Sequence, residues 1–515
     1  MSEYARSPAP QRSANAGSEA TATADRDLVV VSNRQPYRHT RDAGELSADR
    51  GAGGLTAGLD PALQRVGGTW VAWGDGEADR EAVDEDDRVR VPPDDPSYDL
   101  RRVWLDEADV EGYYRGFANQ VLWPVCHSMP DRVRCAPGFW ERYREVNDRF
   151  AEAAVEEAEP RSIVWLQDYH LALAPATVRR RLHPDATVAQ FWHVPWPDPE
   201  TFRACPHGDE LLRGLLGNDV LGFHVPRYRR NFLRCVDAAI DDARIDPATN
   251  RVRHAGGVTH LVARPMGVEA DGISRRATSG EAEDFWAAFA DEHGLRDVRV
   301  ALGVDRLDYT KGIVERLRAL EHLLETRPGW RGQLTYVQVG SETRTAIPAY
   351  RELQADVEAA VERIDDRFAT DDWRPVVYTT DWLDRVELAG LYRHADLALV
   401  SPVRDGMNLV AQEYAAAQVD GDGVLVLSEL AGAHDVFGDA AVSVEPADAA
   451  GFASRIEDAL TMAPAERRRR TARLRRWVAA HDLTAWTDAV LRDARTRPRG
   501  VARAGPTIGA PGPQG

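Results

Sequence analysis

Short apolar runs alternate with longer amphipathic stretches along most of this chain. Runs at 28–32, 163–167, 187–192, 218–223, 298–304, 334–339, 376–379, 395–401 and 424–427 have the length of buried strands, and the stretches between them have helical spacing. Repeated βαβ units of this kind predict an α/β fold built on parallel sheets. Residues 1–26 and 498–515 lack periodic apolar positions and are expected to be disordered tails. The segment Leu261-Val-Ala-Arg-Pro-Met-Gly-Val-Glu269, followed by Gly272, reads as a last strand and a turn before a new helical stretch. It divides the chain into one domain over 27–268 and a second from 269. The final helical stretch, 464–495, carries Arg467 to Arg470, Arg473, Arg475 and Arg476. Glu466 and an apolar stripe of Leu474, Trp477 and Val478 make this a solvated helix face rather than a nucleic-acid surface.

Length supports this division, because 515 residues exceed what one hydrophobic core organises. A net charge of −19 excludes general affinity for a phosphate backbone. No run approaches the roughly eighteen apolar residues of a membrane helix, and no apolar signal core opens the chain. The four cysteines, Cys126, Cys135, Cys205 and Cys235, lack zinc-site spacing and suit a reducing cytoplasm. Lys311 is the only lysine, whereas acidic residues number 83. A GC-rich genome or a saline cytoplasm accounts for that bias.

In open parallel sheets, ligands sit beyond the carboxyl ends of strands. Seven polar clusters follow the predicted strands: Asn33-Arg34, Asp168-Tyr-His170, His193, Asp305 to Lys311, Ser341 to Arg344, Asp381, and Arg404 to Val410. Arg306 and Lys311, ahead of a helix predicted from Gly312 to about Leu324, suit a pyrophosphate. The plainer alternative pairs either base with Asp305 or Asp308. Asp405-Gly-Met-Asn-Leu-Val-Ala-Gln-Glu413 reads as a turn into a helix, with Asp405 as a cap, Gly406 permitting close approach and Glu413 placed for a ribose diol. Gly51-Ala-Gly-Gly-Leu-Thr-Ala-Gly58 fails the dinucleotide spacing at Thr56, although Asp75 could imitate its acid, so a nucleotide-dependent oxidoreductase is the weaker reading. Tyr113-Tyr114 and Trp123-Pro124 can line a sugar site or fill the core.

Together these segments resemble the trehalose-6-phosphate synthases from Leu28 to about Leu491. The motifs are Val-Ser-Asn-Arg34, Gly-Gly-Leu55, Tyr114 with Val-Leu-Trp-Pro124, Asp-Tyr-His170, His193-Val-Pro195, Arg306-Leu-Asp-Tyr-Thr-Lys-Gly312, and Arg404-Asp-Gly-Met-Asn-Leu-Val410 through Glu413. The resemblance implies a GT-B architecture, with two Rossmann-like, doubly wound parallel-sheet domains facing across a cleft. The acceptor domain would be 27–268, the nucleotide-sugar domain 269–475, and a cross-over helix 476–497 would return to the first. It also implies transfer of glucose, with retention, from a nucleotide-glucose such as UDP-glucose to glucose 6-phosphate, giving trehalose 6-phosphate.

By this resemblance Arg34, Tyr114, Trp123, Asp168 and Arg344 hold the acceptor. Gly54, Arg306, Lys311, Leu409 and Val410 hold the donor diphosphate. His193 and the backbone of Asp405, Gly406, Met407 and Asn408 bind donor glucose, and Glu413 takes the ribose. Asp168, His193, Arg306 and Lys311 form the catalytic set, with no metal or cofactor implied. The sequence departs from the family at Gln167, where histidine is common, at Val339-Gly-Ser-Glu-Thr before Arg344, and at Gln412, where lysine is usual. Another phosphorylated acceptor such as glycerol 3-phosphate, or a binding-only regulator, is the alternative. The short C-terminal stretch implies a separate trehalose-6-phosphate phosphatase. No nucleic-acid or membrane partner is expected, and a homo-oligomer is left open.

Overall fold

Two parallel sheets organise the chain in this computed structural model, which describes residues 27–42, 44–50 and 54–496. The expected tails and the glycine-rich turn at 51–53 lie outside the described residues. From edge to edge the first sheet contains Arg244–Asp246, Arg251–His254, Gly257–Ala263, Val220–Phe223, Thr187–Trp192, Ile163–Gln167, Leu28–Ser32, Thr69–Trp73, Tyr98–Val103 and Arg88–Val91. Its interior pairings are parallel and antiparallel pairing is confined to its margins. The second sheet, parallel throughout, runs Val376–Thr379, Leu334–Ser341, Arg299–Arg306, Leu397–Val400, Val424–Ser428 and Val442–Val444.

Helices cover both faces of each sheet, which is why the central strands are apolar along their whole length. Val29, Val30 and Val31 are at most 1% exposed, and each such side chain contributes about 1.5–3 kcal/mol on burial. Strand order reverses between Leu28–Ser32 and Ile163–Gln167 in the first sheet, and between Arg299–Arg306 and Leu397–Val400 in the second. A crevice opens beyond the carboxyl ends of strands at each reversal. These two crevices hold most of the candidate residues.

The chain passes to the second sheet at 266–268, where Met266 packs in the first core and Val268 in the second. It returns at His481–Asp482, later than the expected start at 476. The helical stretch expected over 464–495 is two helices, Pro464–Ala480 and Leu483–Arg495, with Asp482 capping the latter. Leu474 and Val478 pack in the second domain, while Trp486, Val490 and Leu491 pack on the first sheet. No Gly or Pro marks this break, so the apolar spacing reads as continuous. The two crossings touch: the Leu483 amide donates to the Val268 carbonyl at 3.2 Å. A Cβ on Gly267 would lie 2.0 Å from the His481 carbonyl oxygen.

Several strands escape the apolar-run reading because their faces are mixed, as in the hairpin Tyr37–Asp42 with Glu45–Arg50 and the strand Tyr98–Val103. Arg299–Arg306 also runs longer than expected and takes Asp305 and Arg306 into the strand. No helix among the described residues is long and apolar enough to cross a membrane.

Candidate active site

Lys311 ends a loop closed by Asp308, whose carboxylate accepts from the Thr310 amide at 3.0 Å and its hydroxyl at 2.9 Å. Gly312 then starts the helix Ile313–Thr326 with φ 66°, and a Cβ there would meet the Ser401 carbonyl oxygen at 2.0 Å. Only glycine suits that backbone at such close approach. Lys311 pairs with neither Asp305 nor Asp308. Its Nζ donates to Asp405 Oδ2 at 2.6 Å. Asp305 is taken by the fully buried Arg316, which also donates to Tyr336, Gln338 and Ser401 at 2.9–3.0 Å. This network fixes the floor beneath Lys311. Arg316 carries a legible signal that sequence reasoning missed, because it shares an apolar helix stripe with Ile313, Leu317 and Leu320.

Asp405 does not cap the following helix as expected; Asn408 does, its side chain accepting from the Ala411 amide at 3.3 Å. Burial opposes ionisation of Asp405, but Lys311, His127 and Asn408 hold its carboxyl below the usual range. The same loop touches the first domain. The Tyr228 hydroxyl donates to the Asp405 carbonyl at 2.6 Å, and a Cβ on Gly406 would lie 1.8 Å from the His193 carbonyl oxygen. Met407 is buried beneath the loop, and Leu409 and Val410 form the first turn of the helix.

Across the cleft, Asp168 has a left-handed backbone, φ 66°, immediately after its strand. Its carboxylate accepts from the His193 amide at 3.0 Å. Burial pushes this carboxyl up to about 6, against the pull of amide donors and Arg344. His193 Nε2 lies 3.0 Å from Gln167 Oε1, and burial with nearby His224 lowers its pKa far enough to keep the ring neutral. The departure at Gln167 thus supplies a neutral partner for His193.

A π-helix over Val110–Leu122 presents Tyr114, and Trp123 follows it. Such helices are rare and frequent at functional sites, and their wider turn hides them from a search for helical spacing. Arg34 Nη2 donates to the Tyr114 hydroxyl at 2.8 Å. From the other domain, Arg344 lies 4.1 Å above the Trp123 ring and donates to the hydroxyls of Tyr169 at 3.0 Å and Tyr350 at 2.6 Å. Its side chain is 6% exposed, and Asp308 lies 3.5 Å away. Arg306 is exposed, 5.9 Å from the same Trp123 ring.

The structure therefore gathers Arg34, Tyr114, Trp123, Asp168, His193, Arg306, Lys311, Arg344 and Asp405 to Asn408 around one interdomain cleft. Glu413 lines a cavity of about 240 Å³ with Leu409, Tyr392 and Arg385, accepts from the Tyr392 hydroxyl at 3.0 Å, and has its pKa raised by burial. Gly54 is the first residue of the helix Gly54–Val66. Asp381 accepts from the hydroxyl of Thr379, two residues before it, at 2.8 Å. Gln412 works at the domain crossing, where its amide donates to the Met266 carbonyl at 2.7 Å. Tyr169 was missed as a link between domains, and Asn119, which accepts from the Tyr169 hydroxyl at 2.8 Å, was missed with it.

Known proteins are similar to this chain in sequence and fold. The chain is 37% identical over 487 residues to a trehalose-6-phosphate synthase of Mycobacterium sp. (strain KMS), covering 93% of this chain and 97% of that one. A structure of the E. coli protein bound with UDP-2-fluoro glucose superposes with a TM-score of 0.81 at 32% identity, covering 91% of this chain and 99% of that one. A UDP-forming synthase from Burkholderia xenovorans in complex with glucose-6-phosphate gives a TM-score of 0.81 at 32% identity, with 91% and 100% covered. The model of glycosyltransferase family 20 matches residues 26–496, and the chain belongs to that family.

Proposed function

We propose that the protein transfers glucose, with retention, from UDP-glucose to glucose 6-phosphate, releasing UDP and α,α-trehalose 6-phosphate. The observation that carries this reading is the meeting, in one cleft, of cations at the second sheet's reversal with an aromatic and carboxylate pocket at the first. Arg306 and Lys311, with amide groups at the start of the helix Leu409–Ala417, hold the donor diphosphate. The loop Asp405 to Asn408 and neutral His193 hold the transferred glucose, Glu413 takes the ribose, and Gly54 approaches the diphosphate. Arg34 and Arg344 bind the acceptor phosphate beside Tyr114 and Trp123, and Asp168 accepts from sugar hydroxyls.

The chemistry is a front-face displacement. The anomeric hydroxyl of glucose 6-phosphate attacks C1 of the donor glucose as the bond from C1 to the β-phosphate oxygen breaks. The hydroxyl proton passes to the leaving phosphate oxygen, and the fixed cations stabilise the charge that develops there. The product is a phosphate monoester, which a separate phosphatase would convert to the free disaccharide.

Asp168 gives the reaction a pH limit. A carboxyl pushed up to about 6 is protonated below that value, which turns one oxygen into a donor and removes the charge that strengthens its bonds from sugar hydroxyls. Acceptor kcat/KM should therefore fall toward about tenfold per unit as pH drops below 6. Stability moves in the opposite sense. A raised folded-state pKa contributes stability that is present below the unfolded value, about 4, and lost as pH rises through about 6. A pH–rate profile flat down to pH 5 would contradict the role given to Asp168.

The function itself is tested by incubating the protein with UDP-glucose and glucose 6-phosphate and identifying the product by proton NMR. An α,α-linked disaccharide phosphate is expected. An α,β linkage, or UDP release without disaccharide, would overturn the assignment.

A further inference from the structure

The acceptor pocket contains a group to which the chemistry above gives no task. His170 stands on the short turn Tyr169–Leu171, two residues after Asp168. Its ring lies nearly parallel to Tyr114, with centroids 5.8 Å apart and an angle of 15°, and its centroid is 4.0 Å from that of Tyr169. The ring is thus held by packing. Its Nε2 is buried with no hydrogen-bond partner among the described residues. Arg344 Nε and Trp123 Nε1, around the same pocket, are also buried and unpartnered. Buried polar atoms are normally satisfied, and each exception calls for an explanation such as a role at a site or a bound ion or water.

We propose that His170 is a third binding group for the acceptor phosphate, its Nε2–H donating to a phosphate oxygen between Arg34 and Arg344. The inference rests on the assignment of glucose 6-phosphate as acceptor. Tyr114 connects the groups: Arg34 donates to its hydroxyl, and His170 stacks on its ring. Both guanidinium groups act on the imidazole, which burial, then Arg344 and Arg34, keep neutral. A third cation here would be repelled by the other two. A neutral imidazole adds a directed donor without that repulsion, and a phosphate offers three oxygens to share among the donors.

Two variants separate hydrogen bonding from packing. His170→Phe keeps a ring against Tyr114 and removes the donor; His170→Gln keeps an N–H donor and removes the ring. With glucose 6-phosphate, kcat/KM should fall roughly tenfold to a hundredfold in the Phe variant, chiefly through acceptor KM, and recover in the Gln variant. The weak use of unphosphorylated glucose should change little in either. Equal losses with both acceptors, or a Phe variant at the wild-type KM, would overturn the proposal. Wild-type protein gives a readout that does not depend on the variants folding. Saturation with inorganic phosphate should shift the ring nitrogen resonances of His170, and glucose should not; no shift with phosphate counts against the proposal. A wild-type protein that ignores glucose 6-phosphate removes the assigned function and this inference with it. An active wild type with an unaffected Phe variant removes this inference alone.

Discussion

Replacing Lys311 with Ala should lower kcat by on the order of a hundredfold or more while the protein remains folded. In the proposed reaction the ammonium supplies a charge-assisted bond where the diphosphate develops negative charge, and loss of one such preorganised donor costs roughly 10²–10³ in rate. Its resting partner sharpens the effect. Lys311 donates to Asp405 at 2.6 Å, so its removal leaves a carboxylate with Asn408 at 3.1 Å as its remaining side-chain donor among the described residues, in the cleft the diphosphate must enter. An anion would then repel the leaving group. Folding should survive, because the loop is closed independently by Asp308 and supported by Arg316. Steady-state kinetics with a thermal melt checks this. A folded variant with normal turnover would remove Lys311 from the chemistry.

Replacing Arg344 with Ala should raise acceptor KM by on the order of a hundredfold and leave donor KM within a few-fold. The guanidinium is held over Trp123 by two tyrosine hydroxyls and Asp308, with little solvent to compete for a phosphate. A charge-assisted, bidentate contact in such a place is worth a few kcal/mol, and about 1.4 kcal/mol is a factor of ten. Arg344 comes from the second domain and Tyr169 from the first, so the substitution also cuts a contact across the cleft. That should lower kcat somewhat. Kinetics with each substrate varied in turn separates the effects. A rise confined to donor KM would place Arg344 on the nucleotide instead.

Much of this site was legible because parallel sheets expose their strand ends in a fixed way. Apolar runs located the strands, and the residues in the polar clusters after them, Arg34, Asp168, His193 and Lys311, reach the cleft, whereas the strand order that brings those ends together is seen only in the fold. Pairing was less legible. Nothing in the local sequence tells Lys311 to prefer Asp405 over Asp308, three residues away, because the choice depends on a loop nearly a hundred residues later and on Arg316 having claimed Asp305. Tyr169 and Asn119 were passed over for a similar reason: their hydroxyl-to-amide link joins a strand end to a π-helix of unusual pitch. The break at His481–Asp482 escaped because both helices carry compatible apolar stripes, and the sheet on which each packs is decided by tertiary contact.

The central claim is that the acceptor pocket between the domains is built for a phosphorylated pyranose, and acceptor competition tests it most directly. With UDP-glucose fixed, transfer should be measured to glucose 6-phosphate, glucose and glycerol 3-phosphate. Without a phosphate, Arg34 and Arg344 lose their charge-assisted partners, and sites built around such bonds discriminate strongly against ligands that lack them. Glycerol 3-phosphate satisfies the arginines but gives Asp168 no ring hydroxyls and leaves Trp123 without a sugar face. The account predicts efficient transfer to glucose 6-phosphate, poor transfer to glycerol 3-phosphate and almost none to glucose. Preference for glycerol 3-phosphate, or no transfer to any of the three, would contradict it.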